Sequence, residues 1–489
     1  MTASAGGPEV LDVATPARLH VVGAGGTGMS TLTAVLAGLG HEMSGSDLVA
    51  SPALAVLGEL GVQVRVGHDP RVVEGVDGVV VSSAVGADNV EVEAAHAASV
   101  PVWARRQALA GLFRSRRGIA VSGTHGKTTT TAMLVSVLLA AGWDPTFLVG
   151  GDLVRSWPAG WATPGSRTAQ VGDLAMLRRR VGAGVGRSPW LVAEADEADG
   201  TFLALEAEVA VVTSVGADHL DFFGDVAGVE AAFRRFAARA PLAVVPAEAG
   251  WLAERAAGQR TVTVGEDPSA HWRVTVHRRT PVGARFGLTA PARAPVDLEI
   301  LLPGAHNVAD AALAGATALE LGVPVHAVAQ GLEGFRGVAR RFERRGSRRG
   351  VVFVDDYAHN PAKVAAAVAT AAEGGFTRVV AVFQPHRYSR TATLHSAFAG
   401  AFVGADVVVV TDVYAAGERP RAGVTGELVA DAIAGSGQAA PAVYYVPARA
   451  DLPQVVAELL RPGDCCLALG AGDVGGVIEE ILALPGWEA

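Results

Sequence analysis

Gly123-Thr124-His125-Gly126-Lys127-Thr128-Thr129-Thr130 sets one ammonium and a run of hydroxyls between small residues. That composition suits a polyphosphate. Glycines let backbone N–H groups approach an anion, a following helix adds partial positive charge, and a lysine can reach the β- and γ-phosphates. The Thr128 hydroxyl is placed to bind Mg²⁺. The general phosphate-loop pattern wants Gly six residues before the lysine, where this chain has Val121, and Gly123 stands only four before it, so the loop is a shorter variant. Lys127 and Lys363 are the only lysines in 489 residues. Arginine serves elsewhere, so an ammonium kept between Gly126 and Thr128 points to a task for a compact charge.

Other groups could share that chemistry. Glu194-Ala-Asp196-Glu197-Ala-Asp199 and Asp218-His219-Leu-Asp221 offer carboxylates and one imidazole to a metal–nucleotide site, with His219 as a candidate ligand. Nearer the N-terminus, Gly23-Ala-Gly25-Gly26-Thr-Gly28-Met29-Ser30, with Asp47 about 20 residues on, is a dinucleotide-type fingerprint. It specifies a diphosphate, and NAD, FAD and UDP-sugars all carry one. Asn307, after His306, either caps a helix or reads an adenine edge through its amide. Asp356-Tyr357-Ala-His359-Asn360 and Gln384-Pro-His386-Arg387-Tyr-Ser-Arg390 bring further polar groups. If a helix starts after Pro385, Arg387 and Arg390 share a face and can fork a carboxylate or pyrophosphate.

These residues need a scaffold of strand ends. Apolar runs precede nearly every one of them: Leu19–Val22, Val79–Val81 before Ser82 and Ser83, Ile119–Val121, Trp190–Ala193, Val209–Val212, Val351–Val354, Val379–Phe383 and Val407–Val410. Buried strands with chemistry at their carboxyl ends, alternating with helical stretches, predict an α/β fold of three domains. A loose tail is expected over 1–17, a Rossmann-like domain over 18–116, a central phosphate-loop ATPase-type domain over 117–335, and a C-terminal Rossmann-like domain over 336–489. Residues 155–189 lose the apolar rhythm and read as an inserted excursion. A net charge of −9 argues against nucleic acid as a partner. The absence of a long apolar run or a basic-then-apolar leader predicts a cytoplasmic protein without membrane insertion. Cys465 and Cys466, adjacent in an apolar stretch, read as buried small side chains. Nothing in the sequence sets the number of subunits.

The ordered set of motifs resembles the Mur ligases of peptidoglycan synthesis over nearly all of residues 18–480. The motifs are Gly23-x-Gly-Gly-x-Gly-Met-Ser, the Lys127 loop, Glu194-Ala-Asp-Glu-x-Asp-Gly-Thr-Phe202, Asp218-His-Leu-Asp, Pro303-Gly-x-His-Asn, Gly337-Val-x-Arg-Arg-Phe-Glu343, Asp356-Tyr-Ala-His, Gln384-Pro-His-Arg-Tyr-Ser-Arg-Thr and Asp412-Val-Tyr-x-Ala-Gly-Glu418. The resemblance implies a ligase that uses ATP and two Mg²⁺ ions, with UDP-N-acetylmuramate as the acid and L-alanine as the amine. A relative attaching a peptide or another amino acid is the alternative. It further implies that Gly123 to Thr129, His306, Asn307, Arg341 and Asp356 hold ATP, that Thr128, Glu194 and His219 hold the metals, and that Gly23, Gly25, Gly26, Gly28, Met29, Ser30, Asp47 and Ser82 hold the UDP-sugar. Tyr357, His359, Arg387 and Arg390 fall to the amino-acid site, and Lys127, Glu194, His219, His359, Arg387 and Arg390 to catalysis. Ser214, Gly216, Asn360 and Ala415 stand where the family usually has Asn, Glu, His and Pro. A nicotinamide oxidoreductase would leave Lys127, Glu194 and the arginines without a role, and a binding module without ligation would release no ADP.

Overall fold

The computed structural model describes residues 10–151, 182–253, 259–280, 283–437 and 440–487. Most of the expected excursion at 155–189 lies outside the described residues. Described strands fall into three sheets of five, ten and six strands, with helices between them, the α/β architecture expected.

The first sheet comprises β1 (Arg18–Val22), β2 (Glu42–Asp47), β3 (Gln63–Val66), β4 (Gly78–Val81) and β5 (Val102–Ala104), ordered β3-β2-β1-β4-β5. All its pairings are parallel. Parallel strands need crossovers, supplied by α1 (Thr27–Leu39), α2 (Pro52–Glu59) and α3 (Val90–Ala97), and α4 (Arg105–Ser115) leads out. Pairing of Val22 with Ser46 and with Val81 brings Gly23, Asp47 and Ser82 to one carboxyl edge, where the strand order reverses about β1.

Arg116 alone separates α4 from β6 (Arg117–Ser122) of the second sheet. β6 is followed by α5 (Lys127–Ala140), and then come β7 (Thr146–Leu148), β8 (Ala183–Gly184), β9 (Trp190–Glu194) and β10 (Val209–Val212). Helix α6 (Val226–Arg239) leads to β11 (Leu242–Pro246). The strands β12 (Arg260–Gly265), β13 (Trp272–Thr280), β14 (Gly283–Thr289) and β15 (Val296–Ile300) extend the sheet to one side, and α7 (Ala305–Glu320) and α8 (Val325–Gly334) follow. In α5, Ala132 to Leu138 are buried on every face of the helix, as for a helix enclosed on all sides. β6 lies between β9 and β10, with Val121 opposite Glu194 and Ser122 opposite Val212. That register sets Glu194 beside the loop that begins at Gly123.

The third sheet contains β16 (Glu343–Arg348), β17 (Val351–Asp356), β18 (Arg378–Phe383), β19 (Val407–Val410), β20 (Ala442–Tyr445) and β21 (Asp464–Leu469), ordered β16-β17-β21-β18-β19-β20. Among the described residues only β16 pairs antiparallel in this sheet, along β17. Helices α9 (Pro361–Ala372), α10 (Tyr388–Leu394), α11 (Glu427–Ala434), α12 (Leu452–Leu459) and α13 (Val477–Leu482) accompany it. Cys465 and Cys466 lie in β21 and are buried, and burial pushes the Cys465 thiol up to about 12, so both are packing groups.

Two compact units divide the chain, Met1–Arg278 with Arg285–Leu301 and Asn307–Val338 in one, and Arg279–Ala284 with Leu302–His306 and Ala339–Ala489 in the other. The first two sheets, apart from the adjoining ends of β13 and β14, belong to one unit and share a core running from Leu11 through Phe113 to Phe202 and Leu252. The loose tail expected over 1–17 is corrected for its described part. Leu11 and Val13 are buried, the Leu11 N–H donates to the Gln107 carbonyl, and His41 Nδ1 takes the Ala17 N–H at 3.2 Å.

Candidate active site

The strand-to-helix turn at Gly123 is stitched to the segment after β10. The Thr124 N–H donates to the Ser214 carbonyl, the His125 N–H to Ser214 Oγ at 2.8 Å, and the Gly216 N–H to Thr124 Oγ1 at 2.9 Å. Gly126, at φ 82°, is left-handed, and a Cβ there would fall 2.3 Å from Asp310 Oδ1 on α7. Only glycine fits. Asp310 is fully buried and burial pushes its carboxyl up to about 7, so beneath the loop it gains and loses a proton near neutral pH.

Lys127 turns back into its own loop. Its Nζ donates to the Gly123 carbonyl at 2.7 Å and to both oxygens of Glu197 at 2.8 and 2.7 Å. Burial alone would depress the ammonium's pKa, but the charges of Glu197, Glu194 and Asp196 outweigh it and hold the group above its ordinary value. Thr128 Oγ1 donates to Glu194 Oε2 at 2.9 Å, and the same oxygen accepts the Gly150 N–H. Thr128 and Glu194 therefore present hard oxygen donors side by side next to the ammonium, a donor set that fits Mg²⁺. His219, at φ 54°, precedes the helical turn Leu220–Phe223, with Nε2 at 3.7 Å from Glu197 Oε1 and 3.9 Å from Asp218 Oδ2. Among the described residues no three His, Cys, Asp or Glu side chains form a ready metal cluster. Within the acidic run after β9, nothing in the sequence distinguishes Glu197, the close partner of Lys127, from its neighbouring carboxylates.

On the first sheet the Gly25 N–H donates to Asp47 Oδ2 at 2.9 Å, and the Ser82 N–H continues the ladder to the Val22 carbonyl. Met29 and Ser30 do not face this edge. Both side chains are buried, both N–H groups bond the Gly26 carbonyl, and Ser30 Oγ donates to the Thr27 carbonyl at 3.0 Å. Asn307 lies within α7 and is buried, so it is not the cap of that helix. Thr129 is half-buried in the first turn of α5.

In the second unit, Asp356 ends β17 with Oδ2 accepting the Phe342 N–H and Oδ1 the Ala358 N–H, both at 2.7 Å. Arg340 and Arg341 lie over the Tyr357 ring at 5.1 and 5.2 Å. A chain of rings continues from Tyr357 to His359, His386 and Tyr414, the last two stacked at 5.6 Å and 13°. Burial, then the charges of Arg390 and Lys363, press His359 down to about 3; burial with Arg390 and Arg387 presses His386 to about 4. Both imidazoles are neutral near pH 7 inside a cationic field, an arrangement suited to an anionic guest. Arg390 Nη1 lies 3.2 Å from His386 Nδ1. The shared helical face expected for Arg387 and Arg390 is not what forms: Arg387, at φ 72°, precedes α10, and only Arg390 lies within it. Burial depresses the pKa of His306, which is placed before Asn307 in the first turn of α7.

Three family models match the chain in order: the Mur ligase family catalytic domain over residues 18–117, the Mur ligase middle domain over 121–318 and the Mur ligase glutamate ligase domain over 340–472. The chain is 40% identical over 472 residues to a UDP-N-acetylmuramate–L-alanine ligase of Geobacter sp. (strain M21), covering 95% of this chain and 97% of that one. It is 41% identical over 487 residues to the protein of the same name from Bordetella petrii, covering 95% and 98%. Among solved structures, the UDP-N-acetylmuramate–alanine ligase of Thermotoga maritima superposes with a TM-score of 0.77 at 27% identity, over 95% of this chain and 98% of that one. Ordered matches of this extent, over a phosphate loop that presents Lys127, Thr128 and Glu194 together, show that the chain belongs to the Mur ligase family.

Proposed function

We propose that this chain joins L-alanine to the carboxylate of UDP-N-acetylmuramate at the expense of ATP, giving UDP-N-acetylmuramoyl-L-alanine, ADP and phosphate. The observation that carries the reading is 40% identity across 95% of the chain to ligases of that name. A carboxylate is a poor electrophile, so the acid must first be activated. Its oxygen attacks the γ-phosphorus, ADP leaves, and the resulting acyl phosphate is attacked by the uncharged amine; a proton and phosphate depart as the amide forms. Such transfers need positioning and charge compensation more than covalent help.

Each group has a task in that sequence. The Gly123–Thr129 loop cradles the phosphates, and Lys127, released from Glu197, compensates the charge that builds during transfer. Thr128 and Glu194 would hold Mg²⁺, with His219 toward a second ion; the metal supplies Lewis-acid charge to the phosphoryl oxygens when bound. His306, Asn307, Arg341 and Asp356 take the rest of ATP. Gly23, Gly25, Gly26 and Gly28, with Asp47 and Ser82, take the UDP portion. Arg387 and Arg390 hold the alanine carboxylate, Tyr357 flanks it, and neutral His359 can accept a hydrogen bond from the amine. No described helix is long and apolar enough to cross a membrane, and we place the reaction in the cytoplasm, beside the ATP supply.

The test is phosphate release from ATP with UDP-N-acetylmuramate and each of alanine, serine, glycine and a short peptide. Release should depend on both acid and amine, be fastest with alanine, and carry ¹⁸O from the labelled acid into phosphate. Release without an amine, or phosphate free of label, overturns the proposal.

A further inference from the structure

We infer that Arg105 is a binding residue for the sugar nucleotide, its guanidinium fork taking the diphosphate at the glycine turn after β1. The inference rests on the UDP-sugar reading of that turn and adds the cation that the turn itself lacks. Arg105 is the first residue of α4, directly after β5, so it stands on the carboxyl edge that also carries Gly23, Asp47 and Ser82. Its guanidinium lies on the turn. A Cβ added to Gly28 would fall 2.8 Å from the guanidinium carbon and from one terminal nitrogen, and 2.9 Å from Nε. A side chain at Gly28 would displace that guanidinium from the turn.

That arginine has no anion of its own. Elsewhere on this sheet, Arg18 pairs with Asp77, and Arg65 and Arg71 both pair with Asp69. Arg105 is half-buried, and among the described residues its guanidinium forms no ion pair and donates no hydrogen bond. A partly desolvated cation without a partner is costly unless a ligand supplies the counter-charge. The adjoining turn offers the remaining half of a diphosphate site. Helix α1 follows Gly26, which supplies no side-chain cap, and has no acid in its first turn, so its end carries uncompensated partial positive charge. Asp47, the carboxylate at this edge, is engaged by the Gly25 N–H. A planar fork meeting phosphate oxygens beside free helix-end N–H groups is the geometry of bidentate phosphate recognition.

The experiment is calorimetric titration of the full chain and of Arg105→Gln with uridine, UMP and UDP, and with a non-hydrolysable ATP analogue as control. Arg105→Gln should weaken UDP about tenfold to a hundredfold, weaken UMP less, and leave uridine and the ATP analogue unchanged. Arg105→Lys, which keeps the charge without the fork, should fall between. Arg106→Gln, at the exposed neighbour, should match the parent. Uridine and UDP weakening by the same factor would show a structural role and overturn the inference, as would UDP affinity unchanged in both Arg105 variants. A parent that binds no UDP overturns the sugar-nucleotide reading itself, a result distinct from either.

Discussion

Glu197 holds the Lys127 ammonium with both carboxylate oxygens, in a pair almost wholly removed from water. Removing one member of such a pair leaves the other charge buried and uncompensated, at a cost of about 3–5 kcal/mol, whereas replacing both with apolar side chains of similar volume can be nearly neutral. Lys127→Ala should therefore abolish turnover and also lower the thermal midpoint. Lys127→Met combined with Glu197→Met, which fills the same space without charge, should recover most of the lost midpoint and none of the turnover. Phosphate release and melting curves on the parent and the two variants separate the lysine's chemistry from its burial; a double variant no more stable than the single would refute the account. Asp310 yields a second prediction. Its folded pKa of about 7 exceeds the ordinary 3.8, so the folded chain binds that proton more tightly than the unfolded chain. The penalty is absent below the unfolded value, grows as pH rises through the interval, and is complete above about 7. Asp310→Asn, which cannot ionise, should gain on the parent by about 2–3 kcal/mol more at pH 8 than at pH 5. A midpoint difference independent of pH would mean that Asp310 is already charged.

At the scale of elements, Asn360 has a task that its place in the motif did not announce. Its Oδ1 accepts the Lys363 N–H at 2.9 Å, and Pro361 follows as the first residue of α9. That is an N-cap, and Asn360→Ala should cost about 1 kcal/mol, while Asn360→Asp should cost little because it caps equally and adds negative charge at the positive end. Melting curves on the two variants would check the order, and equal losses would rule the cap out. The strands carrying the site were legible because each is an apolar run with chemistry at its carboxyl end, as at Ile119–Val121 and Val351–Val354. The strands from Arg260 to Ile300 were not read, although Val296–Ile300 alternates buried and exposed residues as a half-buried strand must. Local pattern also missed the left-handed backbone at Arg387. There the Arg387 N–H bonds the Tyr414 carbonyl, while the Tyr414 N–H bonds the Pro385 carbonyl, contacts that no spacing rule along one segment reveals. The burial of Leu11 and Val13 has the same cause, since the groups that cover a terminal segment lie far along the chain.

On the whole-molecule scale, the first two sheets, read as two domains meeting near residue 116, share one apolar core. Leu109, Leu112 and Phe113 of α4 belong to the same buried cluster as Phe202, Leu205 and Phe233, and Arg116 is the only residue between α4 and β6. A shared core of this kind should open as a unit, because separating the sheets exposes apolar surface on both at about 25 cal/mol per Å². Ligand binding then has a reach that separate domains would not show. UDP held at a hundred times its Kd adds about 2.7 kcal/mol to the unit that binds it. If residues 18–116 and the strands β6, β9 and β10 open together, their slowest-exchanging amides should all slow by about a hundredfold when UDP is added. Hydrogen-exchange mass spectrometry resolves these peptides. Protection extending through Ile119–Val121, Leu191–Ala193 and Val209–Val212 would establish that the sugar-nucleotide turn and the phosphate loop stand on one cooperative body. Protection ending at Ser115 would show that the first sheet opens alone, and that the shared core packs the two without coupling their unfolding.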